Sequence, residues 1–442
     1  MNKTRSGYFF MLFVAGIYLS LGNLARIWPI PGLSDSIPAT EFILYISAVI
    51  FSLWTRKFIG LLYRYRFYYL VIGLSTVYGI LLEGSLDAVS VAYAIRLIMV
   101  IFSASTAGYA LTFVSNYNIR YAAQYFLLVY GVAISLGFVI FFVFSDSVLL
   151  WVFLAKYGVV FSGDPHQNRF LSTYLDPNFY SAIAMIPILL SLYLYKVKKS
   201  YIYFGFLLVA VLSLFLSGSR SGVGCFVFIY IYLNIISFNF KKYSIEKDFF
   251  FINMLIILSL PIVFLISFDT VYVLFARTAG IQQDASAMVR LASFTDGLSI
   301  LEQYPLFGIG YNYLSLKMFA MRGLSSVDSS VLSTLINFGI VPTLAFIVFL
   351  FFKMKNFSNK INSLEKSCAI DRPAAYIMRA FLMYVLVCII FASQFNNLIY
   401  YQYWLFPVVM LSEFFATILR RAVHESEKVR HMVTVPSPLG LR

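Results

Sequence analysis

Twelve long apolar runs, joined by polar connectors, leave this chain of 442 residues little choice of fold. They lie at residues 8–25, 39–55, 67–83, 89–113, 123–145, 177–195, 201–217, 222–239, 249–267, 331–352, 380–394 and 403–419. A helix crossing a hydrocarbon layer of about 30 Å needs roughly 20 such residues. In lipid every backbone amide must be satisfied within the structure, so runs of this length read as transmembrane helices. Only 12% of residues are charged and 61% are hydrophobic, whereas a soluble domain carries about 25% charged residues. The runs are continuous, without the ten-residue alternation of a transmembrane barrel. The sequence therefore predicts an all-α polytopic integral membrane protein, a single transmembrane domain over residues 1–442 with about twelve helices.

A net charge of +14 would suggest nucleic acid in a soluble chain, but in a membrane protein charge sorts by side. Placing the N-terminus inside puts Arg56, Lys57, Arg64 and Arg66 on the inner side. Lys196, Lys198, Lys199, Lys241, Lys242, Lys247, Lys353, Lys355, Lys360, Lys366, Arg420 and Arg421 follow them there. Both termini are then cytoplasmic, with residues 420–442 as a polar tail. The first run has a basic start but no small-x-small cleavage site, and reads as a retained crossing. Cys225, Cys368 and Cys388 show no metal-site spacing and imply no disulfide framework. Two outer loops are long, 145–176 and 268–330, and the second is too long for a mere connector. Within it Leu291, Phe294, Leu298 and Leu301 form a helical stripe that stops before Pro305. The stripe predicts a short helix resting on the outer membrane face.

Arginines on the outer side oppose the positive-inside bias, which singles out Arg169, Arg220, Arg277, Arg290 and Arg322. Guanidinium groups hold phosphate oxygens bidentately and stay charged, so converging arginines can stabilise a pyrophosphate leaving group. The bland alternative is a surface arginine at the lipid headgroups, and Arg277 and Arg322 stay near it. Arg220 sits in Ser217-Gly218-Ser219-Arg220-Ser221-Gly222, squeezed between two apolar runs. Such a turn either cradles an anion at a helix N-terminus or merely joins two helices tightly. Asp176 before Pro177 and Asn178 reads as an N-cap with proline at the first helical position, leaving Arg169 free to reach inward. His166, the only outer-side histidine, is a base or an inert loop residue. Asp328, just before the tenth run, is read first as that helix's N-cap. Arg96 and Glu413 lie inside apolar runs and must either pair with each other or line a polar cavity. No DxD, HExxH, Walker or GxSxG motif occurs, so a metal-free transferase stays open.

Four segments resemble the O-antigen polymerase and ligase superfamily: the Ser217–Gly222 turn, the Arg169 to Asn178 approach, Tyr304 to Asn312, and the helix start at Asp328 to Ile340. They occur in order over about residues 161–342, while the N-terminal third matches only in its crossings. The resemblance implies a bacterial inner-membrane glycosyltransferase with a GT-C-like fold. It would act on undecaprenyl-pyrophosphate-linked glycans at the periplasmic face, and both long loops would be periplasmic. Carried over by position, Arg220 and Arg290 are the principal pyrophosphate ligands and Arg169 a third. Ser219, Asn178, His166 and Arg277 complete the substrate-binding set. Ligases of the superfamily carry a histidine where this chain has Asp328, a departure that favours a polymerase. Asp328 then becomes the candidate base, unless another carboxylate serves. The absence of a DxD motif and the excess of outer arginines predict no metal, and no cofactor is expected. The partners that the resemblance implies are lipid-linked oligosaccharide and polysaccharide, the bilayer and a chain-length regulator, without nucleic acid. The alternatives are the ligase and, in another class, a lipid-linked oligosaccharide flippase, which the long loop and the absence of a repeat disfavour.

Overall fold

The computed structural model describes residues 3–27, 38–144, 147–157, 166, 168–239, 244–245, 253, 285–314, 317 and 327–434. Helices occupy nearly all of them, beginning with α1 (Lys3–Leu21), α2 (Ala39–Trp54), α3 (Phe58–Arg64), α4 (Arg66–Glu83), α5 (Ala88–Val114) and α6 (Ile119–Val143). Next come α7 (Ser147–Ala155), α8 (Pro177–Ile183), α9 (Met185–Lys198), α10 (Tyr201–Leu216) and α11 (Arg220–Ser237). The chain continues with α12 (Ala285–Gln303), α13 (Ser330–Phe338), α14 (Ile340–Lys366), α15 (Arg372–Ile390) and α16 (Gln402–Thr434). A two-residue antiparallel ladder pairs Phe238–Asn239 with Ser244–Ile245.

Local chemistry sets the helix ends. Asp87 caps α5 through Val89 N and Ser90 N, Asn118 caps α6 through Arg120 N, and Asp371 caps α15 through Ala374 N. Gly84, at φ 67°, closes α4 in the left-handed conformation. Eight of the described helical segments are long and apolar enough to cross a membrane, or nine if α2 and α3, bent by 114°, form one span. Of the twelve predicted runs, eleven fall on helices. The ninth, 249–267, lies outside the described residues apart from Asn253.

The tenth run departs from expectation, because it is not one helix. It breaks at Gly339, with φ 78° and ψ 175°, into the short α13 and the 27-residue α14. The predicted helix is present as α12; of its stripe Leu291, Phe294 and Leu298 are exposed, whereas Leu301 packs against the cluster around Ile300. The other side of α12 is buried, with Ile300 at 3% exposure and Gly297 against Leu332 and Ile336 of α13.

The main core gathers side chains of α1, α5, α6, α9, α10, α15 and α16. Small residues on α5, among them Ala104, Ala107 and Gly108, let α16 approach closely along its length. Exposed apolar side chains such as Phe13, Ile50, Leu128, Phe142 and Phe351 form the belt that faces lipid.

Candidate functional site

One end of the bundle brings together three of the segments singled out in the sequence. Phe170 N donates to Leu216 O at 2.9 Å, fastening the approach segment to the end of α10. Beside it Arg169 donates from Nε to Ser217 O at 2.7 Å and from Nη2 to Asn178 Oδ1 at 3.0 Å, with His166 Nδ1 3.4 Å from Nη1. Asp176 caps α8 as expected, its Oδ1 accepting from Asn178 N at 2.7 Å and Phe179 N at 3.1 Å. Its other oxygen faces His166 Nε2 at 4.0 Å. Arg169, His166 and Asn178 thus form one cluster, and three of the arginine's nitrogens already have protein partners. That geometry makes Arg169 a brace between α8 and the turn rather than an arm free to reach inward.

The turn itself is built from small polar residues for steric reasons. Gly222 lies against Ser181 so closely that an added Cβ would sit 2.1 Å from the serine Oγ. Ser219 is buried, and its hydroxyl accepts from Gly222 N at 3.3 Å, the spacing of a cap on α11, while lying 3.2 Å from Ser221 Oγ. Ser219 therefore shapes the turn. Arg220 opens α11 at the positive end of that helix, where an anion is favoured.

Asn396 joins this turn to the start of α13, next to Asp328. Its Nδ2 donates to Ser221 Oγ at 3.0 Å, and its carbonyl accepts from Ser330 Oγ at 3.0 Å and Ser330 N at 3.3 Å. The expected capping role of Asp328 is corrected here. Ser329 is the cap of α13, accepting from Leu332 N at 3.2 Å, so the neighbouring carboxylate is left for other work. Asp328 Oδ2 lies 3.6 Å from Arg290 Nε on α12, an ion pair beyond hydrogen-bond distance, and half of its side chain is open to solvent. Burial of the other half pushes its pKa above the usual carboxylate range; Arg290 pulls it down and nearby Asp176 adds to the rise. Asp328 thus lies within electrostatic reach of Arg290 and Asp176, and Asp176 in turn faces His166 beside Arg169.

The Tyr304 to Asn312 segment supports this arrangement from beneath. Where α13 and α14 part at Gly339, two carbonyls at the end of α13 are taken up by Ile309 N (to Ile336 O, 2.8 Å) and Gly310 N (to Asn337 O, 3.1 Å). On the far side of the break Ile340 N donates to Pro305 O at 2.8 Å and Val341 N to Leu306 O at 3.1 Å. A helix broken at this depth persists only when its freed backbone groups find partners, and this segment supplies them. Gly310, at φ 91°, lies against Gly79 of α4, where an added Cβ would come within 2.3 Å of the Gly79 Cα.

Residues 204–347, which contain the turn, Arg290, Asp328 and the break at Gly339, match the model of the O-antigen ligase family. The match, over about a third of the chain, supports the O-antigen ligase/polymerase superfamily. No curated protein matches the chain. The matched stretch holds Arg220, Arg290 and Asp328 but not the Arg169 cluster.

Two other expectations fare differently. Arg277 and Arg322 lie outside the described residues. Arg96 and Glu413 do not pair with each other. Arg96 grips Glu41 through Nε at 2.6 Å and Nη2 at 2.7 Å, with Gln402 Nε2 at 3.0 Å from the same carboxylate. Glu413 pairs instead with Arg64 and Arg420 at the opposite end of the bundle. Asp176 and Asn396 are the members of the site that sequence reasoning passed over. Asp176 had been accounted for as a cap, and Asn396 belongs to a polar Gln394 to Asn397 patch between two apolar runs, a signal that went unread. Among the described residues no group of three or more His, Cys, Asp or Glu stands together as a metal site would require.

Proposed function

We propose that the protein polymerises undecaprenyl-pyrophosphate-linked repeat units of O-antigen or a related polysaccharide at the periplasmic face of the inner membrane. Both termini would be cytoplasmic. The acceptor hydroxyl of the incoming repeat unit attacks the anomeric carbon of the growing chain. The bond from that carbon to the pyrophosphate breaks, the new glycosidic bond forms, and Asp328 takes the hydroxyl proton. Arg220 and Arg290 stabilise the charge that builds on the departing undecaprenyl pyrophosphate, where a preorganised donor lowers the barrier by roughly 3–4 kcal/mol. Positioning does the rest, since acceptor and donor must meet in line.

The observation that carries this reading is Asp328: relieved of capping by Ser329, half-exposed, and held 3.6 Å from Arg290. A raised pKa improves a carboxylate as a base. The family match fits a ligase as well as a polymerase. The two separate in one experiment with purified protein and lipid-linked repeat units alone. A polymerase yields a ladder of products, and the ladder persists in EDTA if the transferase is metal-independent. A ligase yields product only when lipid A core is added, and a flippase forms no covalent product at all. A ladder restored by magnesium or manganese after EDTA treatment would overturn the metal-free mechanism.

A further inference from the structure

The end of the bundle opposite the site holds a charge cluster that the reaction does not use. Glu413 of α16 is 1% exposed. Its Oε1 pairs with Arg64 at the end of α3, accepts from Arg420 Nη2 at 3.1 Å and accepts from Thr417 Oγ1 at 3.1 Å. Its Oε2 accepts from Tyr65 at 3.3 Å. Two guanidinium groups thus share one carboxylate, which leaves one positive charge uncompensated within the cluster. Both arginine side chains remain partly open, at 36% and 45% exposure.

By the length of α16, Arg420 at the outer edge of the cluster reaches headgroup depth. Arg420 follows Gln402, the first residue of α16, by 18 positions, or about 27 Å at 1.5 Å per residue, close to the thickness of the hydrocarbon layer. Aromatic rings mark the same level, with Arg66 3.6 Å above Tyr63 and Arg421 4.1 Å above Tyr117. Arg56 and Lys57, in the connector between α2 and α3, add positive charge and no carboxylate. A guanidinium fork takes phosphate oxygens bidentately, and basic pockets between transmembrane helices suit anionic headgroups.

We infer that Arg64 and Arg420 bind the phosphodiester headgroup of an anionic phospholipid in the leaflet at this end of the bundle. Glu413 holds the two forks in place and competes with the lipid for them. The test titrates the purified full-length protein with fluorescent phosphatidylglycerol and, separately, phosphatidylcholine, recording thermal stability alongside. Wild type should prefer phosphatidylglycerol. Arg64→Gln and Arg420→Gln should each weaken that preference about fivefold, equivalent to roughly 1 kcal/mol per cation. Glu413→Gln should strengthen it, because the forks are released from their competitor. A merely structural triad predicts lower stability in all three variants with no change of lipid preference, and that result would overturn the site. If Arg64→Gln does not fold, Arg420→Gln and Glu413→Gln carry the comparison through their opposite signs. Displacement of the labelled lipid by inorganic phosphate at millimolar concentration would identify a soluble anion as the ligand and overturn the lipid assignment.

Discussion

Asp328 has one guanidinium at 3.6 Å, a second carboxylate within electrostatic reach and half of its side chain open to solvent. These surroundings set how it should titrate. Its pKa is raised, and a base must be ionised to act, so activity should climb with pH along a limb above the ordinary carboxylate range. Arg290 holds that pKa down, so Arg290→Gln should move the limb to higher pH as well as reduce turnover. Asp328→Asn should abolish most polymerisation without altering the melting temperature, because Ser329 supplies the cap. Ser329→Ala should do the reverse, costing about 1 kcal/mol of stability while leaving the base in place. Turnover across pH, measured beside thermal melts of the same preparations, checks all three variants. Full activity in Asp328→Asn would move the search to Asp176 or His166.

At the scale of elements, Asp328 immediately precedes the capped start of the short helix α13, whose position depends on three fastenings. Asn396 ties its start to the Ser217–Gly222 turn, α12 packs on its side through Gly297, and the Tyr304 to Asn312 segment receives its end. The last fastening leaves no room for a side chain at Gly310. Gly310→Ala would force a Cβ into the Gly79 backbone at a φ that non-glycine residues rarely adopt, at a cost of about 2 kcal/mol or more. The expected result is a lower melting temperature, with residual activity lost faster than fold because α13 shifts against α11. An unchanged melting temperature in Gly310→Ala would show that α4 and this segment do not pack as described. The exposed stripe of Leu291, Phe294 and Leu298 leaves α12 with one face on the protein and an apolar face outward, as a helix lying at a lipid surface requires.

For the whole molecule, charge divides the two ends of the bundle. Asp176, Asp328, Arg169 and Arg290 occupy one end, while Lys196, which lies over the Tyr376 ring, Lys198, Arg420 and Arg421 occupy the other. The positive-inside rule assigns the second end to the cytoplasm. Reporter fusions after Lys199, Lys242 and Arg421 should accordingly read cytoplasmic, and one placed within residues 268–330 should read periplasmic. A periplasmic signal at Lys242 would invert the molecule and put the proposed chemistry on the wrong side for its substrate.

Hydropathy alone was enough to determine an all-helical, membrane-crossing chain, because a run of some 20 apolar residues has one stable structure in lipid whatever its neighbours are. Caps were equally local: Asp176 with Pro177 starts α8 as read, since the carboxylate needs only the amides two and three residues on. Partner choice was beyond such reading. Arg96 needed a carboxylate, but that it found Glu41, and that Glu413 went to Arg64 and Arg420, depended on which helices pack together. The same holds for Arg169, whose nitrogens are occupied by Ser217, Asn178 and His166 only once α8 meets the turn. The break at Gly339 was hidden because an apolar run reads the same whether its helix continues or parts. The amides of Ile309 and Gly310 and the carbonyls of Pro305 and Leu306, some 30 residues earlier in the chain, make the broken form stable. Helix formation in lipid is a property of a segment, whereas ion pairs, braces and breaks are settled by distances between segments, and those exist only in the folded molecule.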